Sequence, residues 1–136
     1  MKTSAGGVDR ALVALFIGAM HANGHVTPHQ AARAHHLIWS TRRFRRRSGE
    51  AVGRLIQQVR ADFERDDPAA VVASAAARLP GALRRPAFAV VADLLLDDGR
   101  IDPKERRFLQ SLGAQLRLRS AVVRRVLEVM LLKNGL

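Results

Sequence analysis

A short segment of this chain occurs twice, and this internal repeat limits what the chain can fold into. Residues 21–30 read HANGHVTPHQ and residues 96–105 read LDDGRIDPKE. Gly24 aligns with Gly99, and each is followed four residues later by proline. Each copy follows an apolar run and precedes a helical pattern, which predicts a buried helix, a turn and a second helix. We therefore predict an all-α domain of two three-helix repeats joined by a short helix.

Capping residues mark the predicted helix boundaries in both copies. Residues 27–30 (TPHQ) and 102–105 (DPKE) each combine an N-cap side chain, a proline at the first helical position and a Gln or Glu at the third. That pattern predicts a capping box at each site. Ser48, Asp67 and Ser120 are predicted N-caps of other helices. The seven predicted helices span residues 8–22, from 28 to the arginine-rich turn, 49–65, 68–79, 83–97, 103–116 and 121–132.

Length and composition predict one domain. The 136 residues are 48% apolar, which is enough to bury a core. We expect a flexible tail at 1–7 and a helical domain at 8–136, with repeat one at 8–65, a linker helix at 68–79 and repeat two at 83–134. The chain has no cysteine, which excludes disulfides and thiolate metal sites.

The first apolar run does not predict a membrane span. Residues 11–22 are too few to cross a bilayer, and they align with an internal run at 86–97. A repeated internal segment is more simply a buried helix than a signal peptide. We expect a cytoplasmic protein that can also contact the inner membrane face peripherally.

The positive charge of the chain is concentrated in arginine. The formal net charge is +11, and the densest cluster is a run of five arginines around Phe44. Cations at a helix end are favoured by the helix dipole, which explains part of the run. The remainder predicts binding to phosphates or anionic lipid. Phe44 and Trp39 are predicted core residues. The candidate anion-binding residues are Arg42, Arg43, Arg45, Arg46 and Arg47.

In contrast to this basic run, the second half of the chain contains an acidic turn. Asp93, Asp97 and Asp98 lie at a predicted helix C-terminus, where the dipole disfavours anions by about 0.3–1 kcal/mol each. A Ca²⁺ or Mg²⁺ ion would relieve this repulsion, and hard oxygen ligands suit those ions. Asp102 and Glu105 are already explained as capping residues. The candidate metal ligands are Asp93, Asp97, Asp98, Asp102 and Glu105.

One alternative to a cation site follows from the same residues, and one kind of cation site is excluded. The carboxylates can instead form surface salt bridges with arginines close in sequence, namely Arg84, Arg100, Arg106 or Arg107. An EF-hand is excluded, because Leu94 and Leu96 would occupy its first and third ligand positions.

Five histidines lie between residues 21 and 36, and three of them recur every fourth residue. His21, His25 and His29 would share one face of an unbroken helix and could ligate zinc. The Asn23-Gly24 pair and Pro28 interrupt that helix, so we favour solvated or core-edge histidines.

The second half resembles the TerB-like tellurite-resistance family. The similarity rests on residues 89–105, AVVADLLLDDGRIDPKE, and on the apolar residues that follow, and it covers about 86–132. The resemblance implies an internally duplicated helical fold, a role in chemical-stress response, divalent cation binding at acidic turns, and no catalysis. The first half departs from the pattern, because Gly18, Ala22 and Asn23 stand where the second copy has Asp93, Asp97 and Asp98. A family cation site in the first half is therefore not expected.

The function we predict is that of a non-catalytic stress-response module that acts through partner proteins and holds Ca²⁺ or Mg²⁺ at its acidic turn. The alternative is an anion-binding module that docks on nucleic acid or an anionic membrane through the arginine run. No nucleophile elbow, phosphate-binding glycine loop or catalytic triad pattern is present in the sequence, so we do not expect an enzyme.

Overall fold

The computed structural model describes residues 5–22 and 27–135, and this part of the chain is all-helical. The prediction of an all-α fold is confirmed. Eight helices rather than seven are present in the described part, because the arginine run forms a short helix of its own. They are α1 (Ala5–His21), α2 (Pro28–Ser40), α3 (Arg42–Arg45), α4 (Gly49–Arg65), α5 (Pro68–Arg78), α6 (Gly81–Leu95), α7 (Pro103–Gln115) and α8 (Ser120–Lys133).

Most of the predicted caps are confirmed. The Thr27 and Asp102 side chains each accept a hydrogen bond from the third residue of the helix, whose own side chain accepts from the N-cap backbone. Both capping boxes are therefore complete. Ser48 and Asp67 cap α4 and α5 in the same way through one side-chain bond each.

Several predicted boundaries are wrong by one to three residues, including the start of α6, which is Gly81 rather than residue 83. Helix α1 begins at Ala5, so residues 5–7, which we expected in the tail, are helical. Helix α6 ends at Leu95, which leaves Asp97 in the following turn rather than on the helix. The N-cap of α8 is Arg119, and Ser120 is the first residue inside the helix. The predicted stop at residues 23–24 and His25 lie outside the described residues.

Helix α1 lies at the centre of the fold. Every residue from 11 to 20 is buried, and α1 contacts α2, α4, α5 and α6. A Cβ atom at Gly18 would lie 2.5 Å from Cγ2 of Val72, so the glycine permits the close approach of α5. This packing explains why the position aligned with Asp93 carries no carboxylate in the first half.

In the second half, α7 and α8 pack against α6, and α7 also contacts α5. Helices α7 and α8 are joined by a turn of four residues. Gly99 has a φ of +75°, and a Cβ there would lie 2.8 Å from the Asn134 carbonyl oxygen. The acidic turn is therefore held against the end of α8, in a conformation that favours glycine.

Within residues 5–22 and 27–135, no helix has both the length and the hydropathy that crossing a bilayer requires.

Candidate functional site

The arginine run is anchored by a buried carboxylate that the sequence reasoning did not single out. Asp9 on α1 is only 5% exposed. The Arg43 Nε group donates a hydrogen bond to Asp9 Oδ1, and Arg47 Nη2 lies 2.7 Å from Asp9 Oδ2. A buried carboxylate is costly unless it is paired, so these two arginines have a structural role. An acidic residue at the start of an otherwise apolar helix was the signal available in the sequence.

The other three arginines of the run have no such role. Arg42, Arg45 and Arg46 are exposed, and no carboxylate of the described residues lies within ion-pair distance of them. The run is held on the core by Phe44, which is 1% exposed as predicted. Of the five candidate anion-binding residues, two therefore pair with the buried Asp9 carboxylate and three face solvent.

Trp39 lies beside this run and is not the core residue we predicted. Its exposure is 39%, and it lies one residue before the end of α2. A Cβ at Gly49 would lie 3.6 Å from Trp39 Cη2, so the indole packs on the start of α4. Trp39 therefore contacts the helix that follows the run. We call Trp39, Arg42, Arg45 and Arg46 the basic–tryptophan surface.

Asp93 is engaged by donors from both halves of the chain. Its Oδ1 atom accepts from Arg33 Nη2 at 3.0 Å, Lys133 Nζ at 3.0 Å and the Asn134 amide at 2.9 Å. Burial raises the pKa of Asp93, but the bonds from Asn134 and Lys133 and the charges of Lys133 and Arg33 outweigh it. The pKa of Asp93 therefore lies below its ordinary value of 3.8.

Asp97 also faces α2. Its Oδ2 atom lies 3.2 Å from His29 Nε2 and 3.8 Å from Arg33 Nε. That Arg33 nitrogen is buried and makes no hydrogen bond. Arginine pairing was one of our two alternatives, and it occurs, but the predicted partners were wrong. Arg84, for example, donates to the Leu79 carbonyl instead.

The remaining three acidic candidates make local bonds. The Asp98 carboxylate accepts from the Arg100 backbone at 3.0 Å, and Asp102 and Glu105 form the capping box. Asp97, Asp98, Asp102 and Glu105 all line one open cleft of about 550 Å³, together with Gln30, Lys104 and Arg107. Within the described ranges, no three acidic or histidine side chains converge closely enough to hold a metal ion. Cation binding at this turn stays a prediction.

Two of the three regularly spaced histidines are described, and they have different surroundings. His21 stacks on Phe63 with a ring-centroid distance of 4.8 Å and an interplanar angle of 13°. His29 lies beside Asp97, as stated above. In the described part of the chain these two side chains have separate partners and form no shared site.

Comparison of the chain with protein-family models, with curated proteins and with solved structures gave no match. The resemblance to the TerB-like family therefore stays a prediction.

The lowered pKa of Asp93 predicts a specific pH dependence of stability. A carboxyl whose pKa is lower in the folded state stabilises the fold above its unfolded pKa, and this stabilisation is lost as the pH falls through the folded value. The Asp93→Asn variant should be less stable than the wild type at pH 7, by about 1 kcal/mol. The difference should shrink as the pH falls below about 4.

Urea denaturation of both proteins at a series of pH values measures this difference. Asp66→Asn serves as the control, because Asp66 is exposed and its ion pair is with the neighbouring residue. A difference between wild type and Asp93→Asn that did not change with pH would contradict the assignment.

Proposed function

We propose that this chain is a non-catalytic helical module that docks on phosphate-bearing anionic surfaces through the basic–tryptophan surface. The observation that carries the proposal is the division of the arginine run. Arg43 and Arg47 neutralise Asp9, and the other three arginines point into solvent without a carboxylate of the described residues near them. Structural pairing therefore accounts for two arginines and leaves three unexplained.

The chemistry of this surface suits phosphate. A guanidinium group forms two parallel hydrogen bonds with phosphate oxygens. Near an anionic membrane each basic residue contributes about 1 kcal/mol, so three contribute about 3 kcal/mol. Trp39 is half-exposed on the same segment, and tryptophan is favoured where one side of the ring is apolar and the other is wet.

Trp39 also reports on this surface directly, because it is the only tryptophan in the chain. Vesicles containing phosphatidylserine should shift its fluorescence to shorter wavelength, since the indole leaves water. The triple variant R42Q/R45Q/R46Q should bind these vesicles about a hundredfold more weakly, as the loss of about 3 kcal/mol requires. A fluorescence titration at fixed salt measures both effects.

The matched control is R60Q/R78Q/R85Q, which removes the same charge from exposed positions elsewhere that have no carboxylate partner among the described residues. Equal losses in the two triple variants would mean that net charge alone drives binding, and would contradict the proposal. A parallel titration with a short oligonucleotide identifies the phosphate source. A fluorescence shift with the oligonucleotide and not with vesicles would assign the surface to nucleic acid.

The second candidate function is the TerB-like one, a stress-response module that recruits partner proteins and binds Ca²⁺ or Mg²⁺. This candidate includes the proposed internal duplication, in which two three-helix repeats make up the fold. Four carboxylates line the same cleft at the acidic turn, and this clustering favours the second candidate. The same cleft contains Lys104 and Arg107, and Asp97 lies beside His29, so a cation would have to compete with these groups.

A thermal melt with added metal tests this candidate. Ca²⁺ or Mg²⁺ at about ten times its Kd should stabilise the fold by about 1.4 kcal/mol, which raises the Tm by several degrees. Asp97→Ala should abolish the metal-induced shift, whereas Asp66→Ala, outside the cleft, should keep it. The quantity compared is the shift within each variant, because Asp97→Ala also removes the contacts with His29 and Arg33. The absence of any shift at millimolar metal would exclude the cation site.

A further inference from the structure

The α7–α8 hairpin carries a second basic surface, separate from the arginine run. Residues 103–125 contain seven basic side chains and one acidic side chain, Glu105; further along α8, Glu128 is exposed and forms no ion pair with a described residue. Glu105 is buried and belongs to the capping box of α7. All seven basic side chains are exposed, and no carboxylate of the described residues lies within ion-pair distance of them. They are Lys104, Arg106, Arg107, Arg117, Arg119, Arg124 and Arg125.

Several basic side chains on other helices, by contrast, are paired with carboxylates. Arg10 pairs with Asp62, Arg54 with Glu50, and Arg65 with Asp62 and Asp66. A dense set of like charges repels itself and weakens the compact state unless a counter-ion or an anionic ligand screens it. The hairpin therefore carries the excess positive charge expected of a surface that binds a polyanion.

Two of these seven basic side chains, Arg106 and Arg124, line a cleft between the helices. The cleft has a volume of about 410 Å³. Arg106, Gln110 and Ala114 line it from α7, one turn apart, and Ser120 and Arg124 line it from α8. Arg106 on α7 and Arg124 on α8 place a guanidinium group on each wall of the cleft. The Gln110 amide and the Ser120 hydroxyl also line the cleft. On each helix the two donors are four residues apart, Arg106 and Gln110 on α7 and Ser120 and Arg124 on α8, which corresponds to about 6 Å along the helix.

We infer that the α7–α8 cleft binds the phosphodiester backbone of nucleic acid. Regularly spaced donors on two walls suit a strand with a phosphate at each step, which can enter a concave cleft. A membrane surface is flat, and the large apolar residues that line the cleft (Leu118, Val123 and Leu127) are buried or partly buried rather than exposed for insertion. No aromatic side chain lines it to stack on bases, so the expected contacts are with the phosphodiester backbone.

This inference shares no residue with the basic–tryptophan surface, so each can fail without the other. The test is fluorescence anisotropy of a labelled single-stranded oligonucleotide at a series of salt concentrations. The double variant R106Q/R124Q is compared with the wild type and with R54Q/R78Q, which loses the same charge outside the cleft. Circular dichroism of each variant shows that it is folded.

We expect a plot of log K against log salt to be less steep for R106Q/R124Q by about 1.4, because each single-strand phosphate contact contributes about 0.7. At fixed salt its affinity should fall by about tenfold or more. R54Q/R78Q should keep the wild-type slope. The Trp39 fluorescence response to anionic vesicles should be unchanged in R106Q/R124Q, since it reports the other surface.

Three outcomes would overturn the inference. The first is an equal change of slope in the two double variants. The second is loss of oligonucleotide binding in R42Q/R45Q/R46Q with R106Q/R124Q unaffected. The third is vesicle binding that depends on Arg106 and Arg124 when the oligonucleotide does not bind, which would make the cleft a lipid-headgroup site.

Discussion

The carboxylate of Asp9 lies buried on the central helix, and its neutralisation organises the basic side of the molecule. Helix α1 is buried over ten consecutive residues, so its neighbours must enclose it. Enclosure of Asp9 without a partner would cost several kcal/mol, and Arg43 and Arg47 remove this cost. To reach Asp9, the chain must fold back over α1 after α2. Helix α3 forms there, and Phe44 enters the core beside Leu12 and Phe16. The same fold-back directs Arg42, Arg45 and Arg46 outward.

A second set of long-range contacts joins the two halves. Arg33 on α2 binds Asp93 at the end of α6 and lies near Asp97, while Lys133 and Asn134 from the end of α8 complete the environment of Asp93. The acidic residues that the first half lacks are therefore paired with basic residues that the first half supplies. The acidic residues that distinguish the second aligned segment from the first therefore have a structural role, because they join the two halves. This role is additional to any function of the cleft around Asp98, Asp102 and Glu105.

What the sequence predicted well depends on contacts within a few residues. The two capping boxes, the caps at Ser48 and Asp67 and the helical class all follow from patterns of three to four residues, and the structure confirms them. The partners of the acidic side chains could not be predicted in this way. Arg33 and Asp93 are 60 positions apart, and only the packing of α2 against α6 brings them together. The exposure of Trp39 and the pairing of Asp9 likewise depend on how helices meet.

The central claim is that neighbouring arginines of one run have different roles, and the matched variants Arg43→Gln and Arg45→Gln test it most directly. The free energy of unfolding from urea denaturation is measured for both, together with the salt concentration at which each elutes from heparin. Arg43→Gln should lose about 1–3 kcal/mol, because Asp9 keeps only Arg47. Arg45→Gln should keep wild-type stability and elute at lower salt. Equal stability of the two variants, or an unchanged elution of Arg45→Gln, would contradict the account.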